Sequence, residues 1–163
     1  MRRSWLFALF AVLASFALVG TVLASHLPAN HNVTTAAVRG TIVETFKYNV
    51  GDTKVQTKGP VDIVVAEVLF PALASAGWHN HPGPVFVVVK TGTLSVWTAS
   101  CVKHEYFQGG PEGAAFFEPG PESSLLVKNE SATAEATVSA TFIVPVGTTV
   151  LRTGTAHLCG IEE

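Results

Sequence analysis

Gly77-Trp78-His79-Asn80-His81-Pro82-Gly83-Pro84 is the stretch on which the reading of this chain turns. On an extended segment, side chains two apart share a face, so His79 and His81 can converge on a single ion. Neutral imidazole is the commonest protein metal ligand. The Pro-Gly-Pro that follows breaks the strand and forces a turn. A lone His-x-His is equally a polar turn ahead of a buried strand, so its meaning depends on the chain around it.

Outward from that stretch, the sequence consists of short β-branched and aromatic runs. They cover residues 38–50, 61–70, 84–91, 93–99, 102–107, 114–118, 123–129 and 132–144. Gly and Pro close almost every run, as in Gly59-Pro60, Thr91-Gly92-Thr93, Gly109-Gly110-Pro111 and Pro119-Gly120-Pro121. Beyond the N-terminal segment, no stretch holds a 3.6-residue apolar period for three turns. Short strands at regular spacing predict an all-β antiparallel sandwich or barrel. The Ala- and Glu-containing run at 132–140 reads as a strand, because Thr and Val interleave there with a period of two.

The chain has 163 residues, 48% hydrophobic and only 13% charged, with a formal net charge of −2. Disorder and a counterion-displacing nucleic-acid surface are both excluded by that balance. Much of the excess apolarity sits in residues 1–24, where Arg2-Arg3 precede an apolar run and Val22-Leu23-Ala24 ends it. Charged start, apolar centre and small-residue end are the parts of a secretory signal peptide. The expected organisation is therefore a leader at 1–24, a flexible segment at 25–35, a β-barrel domain at 36–146 and an irregular tail at 147–163. Localisation is expected to be export, to a periplasm, cell envelope or exterior. A membrane is involved only if the leader is kept as an anchor.

Export gives meaning to the two cysteines, Cys101 and Cys159. An oxidising compartment lets them pair, and one pair permits a single intramolecular connectivity. That bridge would tie the tail to a mid-chain turn.

With order, spacing and strand pattern in place, the segment from Gly77 to Gly92 resembles the first motif of the cupin superfamily. A second cupin motif is visible in outline at Gly113, Pro119, Gly120 and Asn129. The likeness extends over roughly 61–145 and is nearest to small exported single-domain cupins of the type-2 kind. It implies a double-sheet jelly roll with a pocket in its mouth, and often a divalent metal held by three histidines and a glutamate. Two of those ligands are missing where the family would place them. The glutamate positions carry Val85 and Phe86, and the third histidine position carries Leu125. Glu118, Glu122 and His104 lie near enough in sequence to compensate, with Glu122 and His104 as the first candidates.

The leading expectation is thus an exported cupin-type protein that binds an unidentified small molecule in the barrel mouth. Trp78, His79, His81, Val85 and Phe86 are the expected pocket residues, and His79 and His81 a two-histidine site for one divalent metal of unknown identity. One alternative is a metal-dependent oxygenase or isomerase with a non-standard third ligand. Another is an envelope-associated interaction module without a small ligand. Pairing into a homodimer is an expectation from the resemblance alone.

Overall fold

The computed structural model describes residues 33–161. The expected leader at 1–24 and residues 25–32 of the expected flexible segment at 25–35 lie outside the described residues, while residues 33–35 lie in the first strand. Two antiparallel five-stranded sheets face each other, with no helix among the described residues. In chain order the strands are β1 (Val33–Ile42), β2 (Lys47–Val50), β3 (Thr53–Gln56), β4 (Val61–Phe70), β5 (Ser75–Asn80) and β6 (Val85–Thr91). They continue as β7 (Leu94–Thr98), β8 (Lys103–Tyr106), β9 (Ala115–Glu118), β10 (Leu125–Lys128), β11 (Ala136–Pro145) and β12 (Thr153–Gly154). The first sheet runs β1-β4-β11-β6-β9 and the second β12-β5-β10-β7-β8, while β2 and β3 form a separate hairpin. This is the all-β, double-sheet antiparallel jelly roll that the sequence predicts.

Alternation explains the core. Along β11 buried and half-buried residues strictly alternate from Ala136 to Val144, which points Ala136, Val138, Ala140, Phe142 and Val144 inward. β4 pairs with it residue for residue, Ala136 opposite Phe70 and Val144 opposite Asp62. On β6, Val85, Val87 and Val89 are buried while Phe86, Val88 and Lys90 face out. Burying such apolar faces contributes about 25 cal/mol per Å² and dominates the stability of a sandwich of this kind.

A second, smaller cluster lies on the outer face of the second sheet. Trp78, Leu126 and Trp97 sit side by side on β5, β10 and β7. The C-terminal tail covers them with Leu158, Cys159 and Ile161. A disulfide between Cys101 and Cys159 pins the tail there, as the cysteine count predicts.

Three local expectations differ from the structure. The run at 38–50 falls in two strands, interrupted at residues 43–46, and the second forms the β2–β3 hairpin about Gly51-Asp52. Residues 132–135 are not strand; Ser131 and Asn129 hold that loop through bonds to the backbone amides of Thr133, Ala134 and Ser131. The tail at 147–163 is not wholly irregular, since β12 pairs Thr153 with Asn80 and Gly154 with His79.

Candidate metal centre

β5 and the turn after it carry both histidines. Gly77 takes a left-handed conformation (φ 69°), which glycine adopts without steric cost. Across from it the β5–β10 register slips, with Leu126 opposite Trp78 but Lys128 opposite Ser75. This bulge re-aims the strand, so that Ala76, His79 and His81 all reach the barrel interior and Trp78 turns to the outer cluster. The same turn offers the Gly77 carbonyl to His79 Nδ1 at 2.7 Å. His81 Nδ1 meets the carbonyl of Leu151, in the tail, at 2.6 Å.

A carbonyl can only accept, so each Nδ1 carries the proton and donates it. A neutral imidazole then presents a bare lone pair at Nε2. Both Nε2 atoms face Glu118 Oε2, at 3.5 Å from His79 and 2.6 Å from His81. The three ligand atoms lie within 4.8 Å of one another, and all three residues are buried. Glu118 is 5% exposed, and its Oε2 accepts no well-aligned hydrogen bond. Burial alone would raise the Glu118 carboxyl; its contacts with His79 and His81 outweigh burial and hold it down to about 2. That low value belongs to the state in which an Nε2–H is donated to the carboxylate; with both Nε2 atoms bare, two lone pairs and an uncompensated carboxylate would meet at one point. Only a proton on an imidazole or a cation reconciles them, and a donor set of two imidazoles and one carboxylate suits a divalent transition ion.

The carboxylate of the triad comes from the neighbouring strand, β9. Glu118 ends β9, and its Cα partner on β6 is Val85, the residue in the family's glutamate position. Alternation along Ala115-Phe116-Phe117-Glu118 buries Phe116 and Glu118 together, which carries the carboxylate to the same interior face as Val85. Leu125, in the family's third histidine position, is directly opposite His79 on β10 and belongs to the apolar core.

The triad opens into a cavity of about 490 Å³ between the sheets. Small side chains make the room, among them Ala37, Ala66, Ala76 and Ala140. Phe70, Val87, Leu94, Phe116, Val138 and Phe142 supply much of the remaining apolar wall. The His81 ring meets Phe142 edge-on at 5.4 Å and the His79 ring at 4.8 Å, which limits its rotation. Arg152, half-buried beside Leu151, completes the wall and donates from Nη1 to the Ala76 carbonyl at 3.1 Å. Burial lowers its guanidinium from the usual arginine range, and the negative charge of Glu118 works against that.

Of the pocket residues expected from sequence, His79, His81 and Val85 line this cavity. Trp78 and Phe86 do not. Each is one residue out of phase with the inward face, Trp78 packing under the tail and Phe86 standing 50% exposed against Phe117. The two preferred compensating ligands are also elsewhere. Glu122 is exposed in the loop after β9, and His104 sits on edge strand β8 with Glu112 at 3.1 Å. Glu118 was legible as the one acidic residue in phase with the apolar face of β9; Leu151 and Arg152 had no sequence signal. Asn129, whose Asn-Glu-Ser triplet matches a glycosylation acceptor, is 1% exposed with Nδ2 on the carbonyls of Phe70, Pro71 and Ala134. It is a structural hub closed to modification in the folded state.

No family model matches the chain, and no curated protein matches it. Among solved structures it is similar to a DMSP lyase, DddQ from Ruegeria pomeroyi DSS-3, at 13% identity and a TM-score of 0.47. That match covers 57% of this chain and 43% of the lyase. An oxalate oxidase is similar at 21% identity and a TM-score of 0.40, over 52% of this chain and 46% of the oxidase. The chain thus spans less than half the length of either enzyme. A cupin domain from Bordetella pertussis Tohama I is similar at 22% identity and a TM-score of 0.40, over 66% of this chain and 92% of that domain.

Proposed function

We propose that this protein is an exported cupin-type jelly roll that binds one divalent metal ion through His79, His81 and Glu118 and takes a small ligand in the cavity beside it. The observation that carries the reading is the convergence of three buried ligand atoms, with both Nδ1 protons already given to carbonyls and Oε2 lacking a satisfying donor. The carbonyls of Gly77 and Leu151 act as outer-shell partners that fix each ring's tautomer and orientation, the usual arrangement behind metal-bound histidine. When bound, a divalent ion supplies positive charge and Lewis acidity to a ligand at its open positions. Three protein ligands with open positions are the pattern of catalytic rather than purely structural sites, and this favours a metal-dependent enzyme as the second reading. Export is supported by the Cys101–Cys159 bridge, which suits an oxidising compartment.

The test is elemental analysis and metal titration of untagged protein beside Glu118→Gln and a His79→Ala/His81→Ala double variant. Near one ion per chain in wild type, with affinity reduced in Glu118→Gln and lost in the double variant, is the expected result. Absence of stoichiometric metal after equilibration with Mn, Fe, Ni and Zn salts would sink the proposal. The same affinity in wild type and Glu118→Gln would move the site off this triad.

A further inference from the structure

The cavity wall is apolar apart from the triad and one cation. Among the described residues that line it, Arg152 is the only lysine or arginine. Its backbone is set by its neighbours: Leu151 holds His81 by its carbonyl, and Thr153–Gly154 pairs with β5. Its guanidinium is tethered to Ala76 on that same strand. Arg152 therefore stands on the same side of the cavity as the histidines, close enough for the charge of Glu118 to act on it. A divalent cation on two neutral imidazoles and one carboxylate leaves a single positive charge at the triad. The lining as a whole then carries net positive charge, from the triad and from Arg152, in an otherwise apolar cavity. An anionic ligand complements that charge, and a planar guanidinium fork matches a carboxylate.

We infer that the cavity takes a small organic carboxylate with an apolar body, its charged end read by Arg152 and the triad and its body by the apolar wall. The inference rests on reading this cavity as a metal-bearing ligand pocket, and it adds the class of ligand. Arg152 is the residue that would set the preference for an acid over a neutral analogue of equal size.

Hexanoate and hexanamide, matched in shape and differing in charge, test it by isothermal titration into metal-loaded and chelator-treated protein whose metal content is measured separately. In loaded wild type, hexanoate should bind at least about tenfold tighter than hexanamide, the scale of one charge-assisted hydrogen bond. Arg152→Gln should abolish that preference, with the metal content of the variant measured alongside. Arg152→Lys, which keeps the charge, should retain part of the preference; thermal midpoints of both variants confirm folding. Equal binding of the two probes, no binding of either, or an undiminished preference in Arg152→Gln would overturn the inference. If the protein holds no metal, the site reading fails by itself. An Arg152-dependent preference in that metal-free protein would still support the ligand class, and its absence would overturn it.

Discussion

Replacing Cys101 and Cys159 by serine should weaken both the fold and the metal site, for connected reasons. The bridge closes a loop with a sequence separation of 58 residues. Loop-closure entropy for that length corresponds to roughly 4 kcal/mol, most of it from freedom regained by the unfolded chain. For a domain of this size that is a fall in thermal midpoint on the order of 10–20 °C. The functional consequence comes from what the tail carries. Leu151 supplies the carbonyl that orients His81, β12 pairs with β5 beside His79, and Leu158 and Ile161 cover Trp78. Loss of an outer-shell partner of a metal-bound histidine typically costs 10–100-fold in affinity. A tail released at one end should therefore weaken metal binding by about tenfold. Thermal unfolding by circular dichroism in chelator reads the first effect, and competition against a chromogenic chelator reads the second. A midpoint within about 3 °C of wild type would refute the stability argument. A large fall in midpoint with unchanged metal affinity would refute the coupling of tail to site.

Asp62 is buried and accepts bonds from Thr41 Oγ1, the Gly147 amide and Arg39, which together hold its carboxyl below the ordinary value of 3.8. A depressed folded pKa stabilises above the unfolded value and is lost as pH falls through the folded one, so Asp62→Asn should flatten the loss of stability below about pH 4; an unchanged acid limb in urea midpoints would contradict this. A Cβ on Gly83 would overlap the Ile143 carbonyl oxygen, so Gly83→Ala should cost at least about 2 kcal/mol by overpacking, read by urea denaturation, and a neutral substitution would contradict the packing. Leu125→His places an imidazole directly opposite His79. It should tighten metal binding while lowering metal-free stability by roughly 1–3 kcal/mol through burial of a polar ring, and unchanged affinity would show that position 125 does not reach the triad.

The strands were legible because alternation and Gly/Pro punctuation report a half-buried sheet directly. β4 falls where VDIVVAEVLF places it, and β6 to β10 fall within a few residues of their runs. β5 was harder to see: its alternation is broken at Gly77, and the bulge there reverses which side chains face in. Trp78 lies outside the expected pocket because it adjoins His79, and alternation turns neighbouring side chains to opposite faces. Glu118 stood among the sequence candidates, but its priority over Glu122 and His104 was hidden for a different reason. Metal sites are assembled across strands, and the register that sets Glu118 beside Val85 depends on pairing between segments about thirty residues apart. Sequence spacing within one motif cannot report a carboxylate that lies on the neighbouring strand. Arg152 and Leu151 were invisible because the tail's docking is set by the bridge and by apolar cover, neither of which has a local pattern.

The central claim is the identity of the three ligands, and anomalous diffraction from a crystal equilibrated with a divalent transition metal tests it most directly. A single strong peak about 2.0–2.2 Å from His79 Nε2, His81 Nε2 and a Glu118 carboxylate oxygen is the predicted result. A peak at His104 and Glu112 instead, or none at the triad, would contradict it.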